Sequence, residues 1–254
     1  LQPRTIRRRS SPELPRNQRE IQIMGIKAGE DTFYQAKRGI VQNGLVFNLD
    51  SAVKSSYSGG TNWTDIERRN VGVLQNGATF SKDHGGVISF DGTDDYLDVN
   101  PLDLNLSSIG VTISFWFKGS DPRSILRLQR NSQHSIFIVP VWHTNYAFIQ
   151  SGNGTSSSVY APAALRDGNW HNYVCVYEKN NFWGNYLDGS VVTTSTAYSS
   201  DLPTSDFTST QMFRWWGGSE YTNGTVSGGL IYNRALTAAE VLQNYNATRH
   251  RFGV

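Results

Sequence analysis

The chain has 254 residues, 12% of them aromatic, with 24 glycines and only 8 prolines; this excludes collagen-like and compositionally disordered chains and favours one core domain of roughly 200 residues plus an extension. The net charge of +2 hides a division, because residues 1–38 hold nine Lys/Arg against four Asp/Glu while the remainder holds 14 against 17. No apolar run reaches the roughly 18 residues of a membrane span and no apolar stretch follows the Arg-rich start, so neither a span nor a secretory signal is read; the single cysteine, Cys175, forms no intrachain disulfide, and packing must hold the fold.

Residues 1–24 combine Pro3, Pro12 and Pro15 with six arginines, the composition of an extended arm without its own core. Residues 1–38 are read as a basic extended arm. Arg4, Arg7, Arg8, Arg9, Arg16 and Arg19 are its candidate partner-binding cations, and Ile21 and Ile23 its candidate apolar contacts. Such charge suits nucleic acid phosphates or an acidic protein surface, weighed against an ordinary solvated tail, and the protein surface is preferred to nucleic acid. Met24 is an alternative native start, which would demote the arm.

From Gly44 onward, short apolar or alternating runs are separated by Gly, Asn, Asp and Ser. They comprise 45–49, 87–90, 96–99, 111–118, 124–128, 135–141, 146–150, 157–161, 171–178, 182–187, 191–194, 212–216 and 226–232. So many short strands with one terminal helix predict an all-β, two-sheet antiparallel sandwich. Val111, Ile113, Phe115 and Phe117 share one face of their strand and are predicted core; Thr112, Ser114, Trp116 and Lys118 share the other. Asp188-Gly189 reads as a hairpin turn, since both residues tolerate positive backbone angles. Thr237 and Glu240 have capping-box spacing, and Val241, Leu242 and Tyr245 follow at helical spacing, predicting a short helix that docks one side on a sheet.

Five segments in order, Ile88-Ser89-Phe90-Asp91-Gly92-Thr93-Asp94-Asp95-Tyr96-Leu97-Asp98-Val99, Val111 to Phe117, Asp167 to Val174, Tyr186-Leu187-Asp188-Gly189 and Ile231 to Thr237, resemble the laminin G-like branch of the concanavalin A-like jelly rolls. The resemblance spans about residues 43–247 and implies a jelly-roll sandwich with one short C-terminal helix, the domain being taken as 39–254 behind the extended N-terminal arm. The tail from Asn244 to Gly253 also looks like the ending of such domains in virion proteins of tailed phages. That implies a virion structural or decoration protein, made in the host cytoplasm and bound to capsid or tail subunits. A homo-oligomer is compatible with this setting.

Glycoside hydrolysis needs two carboxylates flanking the scissile bond. The seven glutamates, at 13, 20, 30, 67, 178, 220 and 240, never come close enough to form the paired-glutamate strand of this superfamily's glucanases, so no enzyme and no catalytic residue is read. Asp91, Asp94 and Asp95 are the candidate Ca²⁺ ligands, weighed against an Asp/Gly turn that satisfies itself; Leu102 at the twelfth position breaks the EF-hand pattern. No other cofactor is read. His171 is taken as packed or at an edge, and Cys175 as a buried thiol. Among seven tryptophans, Trp116, Trp142 and Trp216 are candidates to contact a glycan or a protein neighbour.

Two main expectations follow: a non-enzymatic virion protein anchored by its arm, and a carbohydrate-binding module for adsorption to host-surface glycans. A laminin-type extracellular module is a third reading. It would make Asn62, Asn105, Asn153, Asn223 and Asn246, each in an Asn-x-Ser/Thr triplet, glycosylation acceptors in a eukaryotic secretory route.

Overall fold

The computed structural model describes residues 39–254 apart from 68–69, 100–101, 103, 108, 122, 132–133, 140–145, 151–155, 161–162, 196–201, 203–206, 208 and 216–219. The arm candidates Arg4, Arg7, Arg8, Arg9, Arg16, Arg19, Ile21 and Ile23, and the tryptophans Trp142 and Trp216, lie outside the described residues.

The first six strands are β1 (Leu45–Asp50), β2 (Asn62–Thr64), β3 (Val71–Gln75), β4 (Thr79–Ser81), β5 (Val87–Asp91) and β6 (Tyr96–Asp98). Next come β7 (Gly110–Asp121), β8 (Leu126–Asn131), β9 (His134–Val139), β10 (Tyr146–Gln150) and β11 (Ser156–Tyr160). The last are β12 (Trp170–Glu178), β13 (Phe182–Leu187), β14 (Ser190–Ser195), β15 (Ser209–Met212) and β16 (Asn223–Tyr232), followed by the helix α1 (Ala238–Thr248). One antiparallel sheet runs β14-β13-β12-β7-β16-β5-β4, and the other β11-β10-β9-β8-β15-β6-β3-β2. In the first sheet, β16 is long enough to pair β5 through residues 223–226 and β1 through 228–232 on the same side. A bulge at Ser227 separates the two pairings. Gly228 follows it because a Cβ there would collide with the Leu49 carbonyl oxygen.

The core lies between the sheets, as the alternation in β7 predicts: Val111, Ile113, Phe115 and Phe117 are buried there with Phe47, Leu97, Leu128, Tyr173 and Trp183. Burying one such side chain contributes about 1.5–3 kcal/mol. Two polar tips inside this core find partners, with the Tyr173 hydroxyl donating to Asn185 Oδ1 at 2.7 Å and the Trp183 indole donating to Cys175 Sγ at 3.4 Å. Burial pushes the Cys175 thiol up to about 12, so it stays protonated and unreactive, as read from sequence.

The outer face of the first sheet is covered as well, by residues 39–43 and the segment from Arg234 to Phe252. Thr112 Oγ1 donates to Arg234 O and accepts from Leu236 N, both at 2.9 Å. The capping box is present, with Thr237 accepting from Glu240 N and the Glu240 carboxylate accepting from Thr237 N. Arg234 grips the same carboxylate, and with the cap contacts it holds Glu240 down at about 2. The docking face of α1 differs from its prediction. Val241 is buried but Leu242 is 45% exposed, and Asn244 turns inward instead. The reason is hydrogen bonding: Asn244 Oδ1 accepts from Val41 N and its Nδ2 donates to the Tyr232 hydroxyl.

Two further differences are local. Strands β2, β3 and β4 were not read, being short and interrupted by Gly and Asn. Of the run 212–216, Met212 ends β15 and Phe213 adopts φ 69°, turning the chain before Arg214. Asp188 (φ 52°) and Gly189 (φ 78°) form the predicted hairpin turn between β13 and β14.

Candidate functional site

The turn between β5 and β6 is built by its own aspartates. Gly92 supplies a positive φ of 79°, and Asp91 Oδ1 accepts from Thr93 N at 2.7 Å and Asp94 N at 3.4 Å. Asp95 Oδ2 accepts from Asp91 N at 3.0 Å, and Asn76 ties the loop to β3 by donating to Asp94 O at 2.8 Å. These bonds serve the turn, yet they also bring one carboxylate oxygen from each of Asp91, Asp94 and Asp95 within 4.8 Å of one another. Hard oxygens at that spacing are ligands of the Ca²⁺ type. The backbone N–H of Thr93 holds Asp91 below the ordinary carboxylate range, while burial raises Asp95.

Beside this turn, Tyr96 opens β6 and faces a short hairpin in which Arg214 bridges Tyr221 and Trp215 N donates to Glu220 O at 2.8 Å. The Arg214 guanidinium lies 4.6 Å from the Tyr96 ring centre and 5.6 Å from that of Tyr221, a cation packed against two aromatic rings whose own centres are 6.5 Å apart. Its Nε is buried and has no hydrogen-bond partner among the described residues. Burial, and then the nearby charge of Arg214, lowers the pKa of Arg127, which itself donates to Gln211 Oε1 at 3.3 Å. The neighbouring Arg123 pairs with Asp121 at 2.9 Å. Three carboxylates, two tyrosines and a guanidinium therefore meet at one rim of the sandwich. The sequence reading found the aspartates through their spacing but missed Arg214 and Tyr221. They are far apart from Tyr96 in sequence, and only the left-handed turn at Phe213 aims Arg214 at them.

Trp116, a candidate to contact a glycan or a protein neighbour, is buried within the described chain. It is 6% exposed, packs nearly parallel to Phe252 at 4.2 Å and Tyr245 at 5.8 Å, and donates its indole N–H to Thr248 Oγ1 at 2.9 Å. The physical reason is the C-terminal segment, which covers the outer face that strand alternation alone leaves open. His171 is packed between two acids, with Nδ1 2.7 Å from Asp188 Oδ2 and Nε2 3.1 Å from Asp167 Oδ1. Burial pulls its pKa down, but the two carboxylates outweigh burial and leave it above the ordinary value. No described helix is long and apolar enough to cross a membrane.

Residues 91–242 match the laminin G-like family model of the concanavalin A-like lectin/glucanases superfamily. The chain belongs to this superfamily. The matched span begins at the aspartate turn and ends inside α1, so it contains the whole rim. Solved structures of similar fold align with the chain at low identity. Domain 4 of AbnA, a GH43 extracellular arabinanase from Geobacillus stearothermophilus solved with arabinotriose, matches at TM-score 0.62 and 16% identity, over 81% of this chain and 100% of that one. The binding domain of botulinum neurotoxin DC, solved with SialylT, matches at TM-score 0.60 and 11% identity over 81% of this chain. A structure of botulinum neurotoxin type C, whose cell entry is dependent upon interaction with two ganglioside molecules, matches at TM-score 0.58 and 13% identity. This chain spans about half the length of the neurotoxin chains, 52% and 51%. At these identities the likeness is one of fold. No curated protein matches the chain.

Proposed function

We propose that the chain is a non-catalytic, lectin-like module that binds glycan at the rim formed by the Asp91–Tyr96 turn and the hairpin of Arg214 and Tyr221. The observation that carries this reading is Arg214, fixed against the rings of Tyr96 and Tyr221 beside the aspartate turn. Planar, pre-oriented N–H groups beside aromatic edges suit the hydroxyls and ring oxygens of a sugar. Arabinotriose and SialylT bound to superfamily folds support the ligand class. Asp91, Asp94 and Asp95 would hold Ca²⁺ beside the glycan.

The absence of catalysis is supported by what the described carboxylates already do. Glu240 is locked by Arg234 and the helix cap, and Asp50 by Arg251. Asp91 and Asp95 accept backbone N–H groups of their own turn. The particle setting belongs to the same proposal: the basic arm would attach the module to capsid or tail subunits of a phage virion. Its support is the charge division between residues 1–38 and the rest.

A glycan array with the full chain tests the ligand class. Binding that falls at least tenfold in Arg214→Gln and Tyr221→Ala, with the fold intact by circular dichroism, is expected; undiminished binding would place the site elsewhere. Calcium should raise Tm in the parent and not in Asp94→Asn, and a parent indifferent to calcium ends the metal assignment. Removal of residues 1–38 should leave a folded domain that no longer co-sediments with particles, and retained co-sedimentation would refute the anchor.

A further inference from the structure

Residues 39–43, which cover the outer face of the first sheet beside α1, end in a tight turn where Leu45 N donates to Gln42 O at 3.1 Å and Gly44 takes φ 81°. We propose that this turn is a self-modification site: Asn43 converts to aspartate and isoaspartate through a cyclic imide closed by the Gly44 nitrogen, and Arg234 activates the peptide that attacks. Asn-Gly also occurs at 76–77, 153–154 and 223–224, and in each pair the glycine has no side chain to hinder attack by its nitrogen on the preceding carboxamide. The fold separates the pairs. Asn153-Gly154 lies outside the described residues. Asn223-Gly224 is held inside β16, paired with β5 on one side and β7 on the other. Asn76 has its carboxamide tied, with Nδ2 donating to Asp94 O at 2.8 Å. Asn43 is exposed, and neither its carboxamide nor the Gly44 N–H has a hydrogen-bond partner among the described residues.

Arg234 gives the site its chemistry. Its Nε donates to Asn43 O at 3.0 Å, while Nη1 and Nη2 grip the Glu240 carboxylate at 2.9 and 2.6 Å and fix the guanidinium in place. Asn43 O belongs to the same peptide group as the Gly44 nitrogen. When that nitrogen gives its proton to hydroxide, the negative charge is shared with Asn43 O, at which a cationic donor is already aimed. The Gly44 nitrogen then bonds to Asn43 Cγ, the Cγ–Nδ2 bond breaks, and ammonia leaves after taking a proton from water. A second water opens the five-membered ring at either carbonyl. One opening gives aspartate; the other gives isoaspartate, in which the main chain runs through the side-chain carbon.

Isoaspartate lengthens the main chain by one carbon where there is little slack. A Cβ on Gly44 would already stand 3.0 Å from Arg234 Cγ and from Asn233 Oδ1. On one side of the turn, Val41 N donates to Asn244 Oδ1 and Val41 O accepts from the Tyr232 hydroxyl; on the other, Gly44 O accepts from Asn233 N at 2.8 Å. The added carbon therefore displaces residues 39–43 or Arg234, and through Arg234 it reaches the Glu240 cap of α1. Aspartate keeps the chain length and leaves the cover seated.

The test ages the full chain at mildly alkaline pH and follows each Asn-Gly peptide by mass spectrometry, with isoaspartate scored by enzymatic isoaspartyl methylation. Asn43 is expected to convert at least fivefold faster than Asn76 and Asn223, and to lose that lead in urea. Arg234→Gln should slow Asn43 at least threefold relative to Asn76, whereas Glu240→Gln, which also releases the cap, should leave Asn43 at least as fast as in the parent. The aged parent should melt below the fresh protein, and aged Asn43→Gln should lose less. An Asn43 rate no greater than that of Asn76, a lead that persists in urea, an unchanged rate in Arg234→Gln, or equal slowing by Arg234→Gln and Glu240→Gln would overturn the proposal. Equal loss of Tm in the aged parent and aged Asn43→Gln would overturn the effect on the cover.

Discussion

The two faces of β7 are both buried, and by different means. Inward, Val111, Ile113, Phe115 and Phe117 interlock with side chains of the opposing sheet and leave no polar atom to satisfy. Outward, Thr112, Ser114 and Trp116 are covered by the chain's last segment, and each is held by a hydrogen bond: Thr112 to Arg234 and Leu236, Ser114 to Asn172, Trp116 to Thr248. Hydrocarbon packing is non-directional and closes space, whereas directed polar contacts hold a cover at fixed points and leave a cavity between them. Stability is thus concentrated between the sheets, and the outer contacts fix the position of the C-terminal cover.

Substitutions on the two faces should separate these roles. Phe115→Ala is expected to cost about 3–5 kcal/mol in urea unfolding, the largest effect, because the inner face cannot refill the lost volume. Thr112→Val preserves shape but strands the Leu236 N–H, and should cost about 1–3 kcal/mol. If Thr112→Val costs as much as Phe115→Ala, the contrast between the faces is wrong.

The cover itself is sharpened by its cap. Thr237→Ala should cost about 1 kcal/mol by removing the acceptor for Glu240 N. Glu240 is held down at about 2 from its ordinary 4.5, so its contribution is complete above 4.5 and is lost as pH falls toward 2. Fluorescence of Trp116 and Trp170, which pack on the tail at Phe252, should report loosening of the cover in that window, and Glu240→Gln should abolish the pH dependence.

The smallest effect is expected at His171. Its folded pKa lies above 6.5, so its charged form stabilises below that value and the contribution is lost as pH rises through the folded pKa. With Asp167 well exposed, screening limits this to under about 1 kcal/mol, measured as a Tm that declines with rising pH and flattens in His171→Gln.

Much of the inner face was legible in the sequence, because a period of two over β7 and β12 sorts core from non-core residues directly. The Thr237–Glu240 box and the Asp188-Gly189 turn were legible for the same reason: their chemistry is local. The outer face was not. Alternation marks Trp116 as the side away from the core, but only the returning C-terminal segment decides that it is covered, and that contact joins positions 116 and 248. The inward turn of Asn244 likewise depends on Val41, about two hundred residues earlier. The rim was half legible: the Asp91–Asp95 spacing is local, whereas placing Arg214 against Tyr96 needs two strands and a backbone angle that no pattern of residue types reveals.

The most direct test of the glycan assignment is calorimetric titration of an oligosaccharide chosen from the array into the parent and into Arg214→Gln, with the sugar recovered afterwards and its chain length measured. The account predicts at least a tenfold loss of affinity in the variant, about 1.4 kcal/mol, and sugar recovered intact from both. Equal affinity in the two proteins, or shortened sugar from the parent, would contradict it.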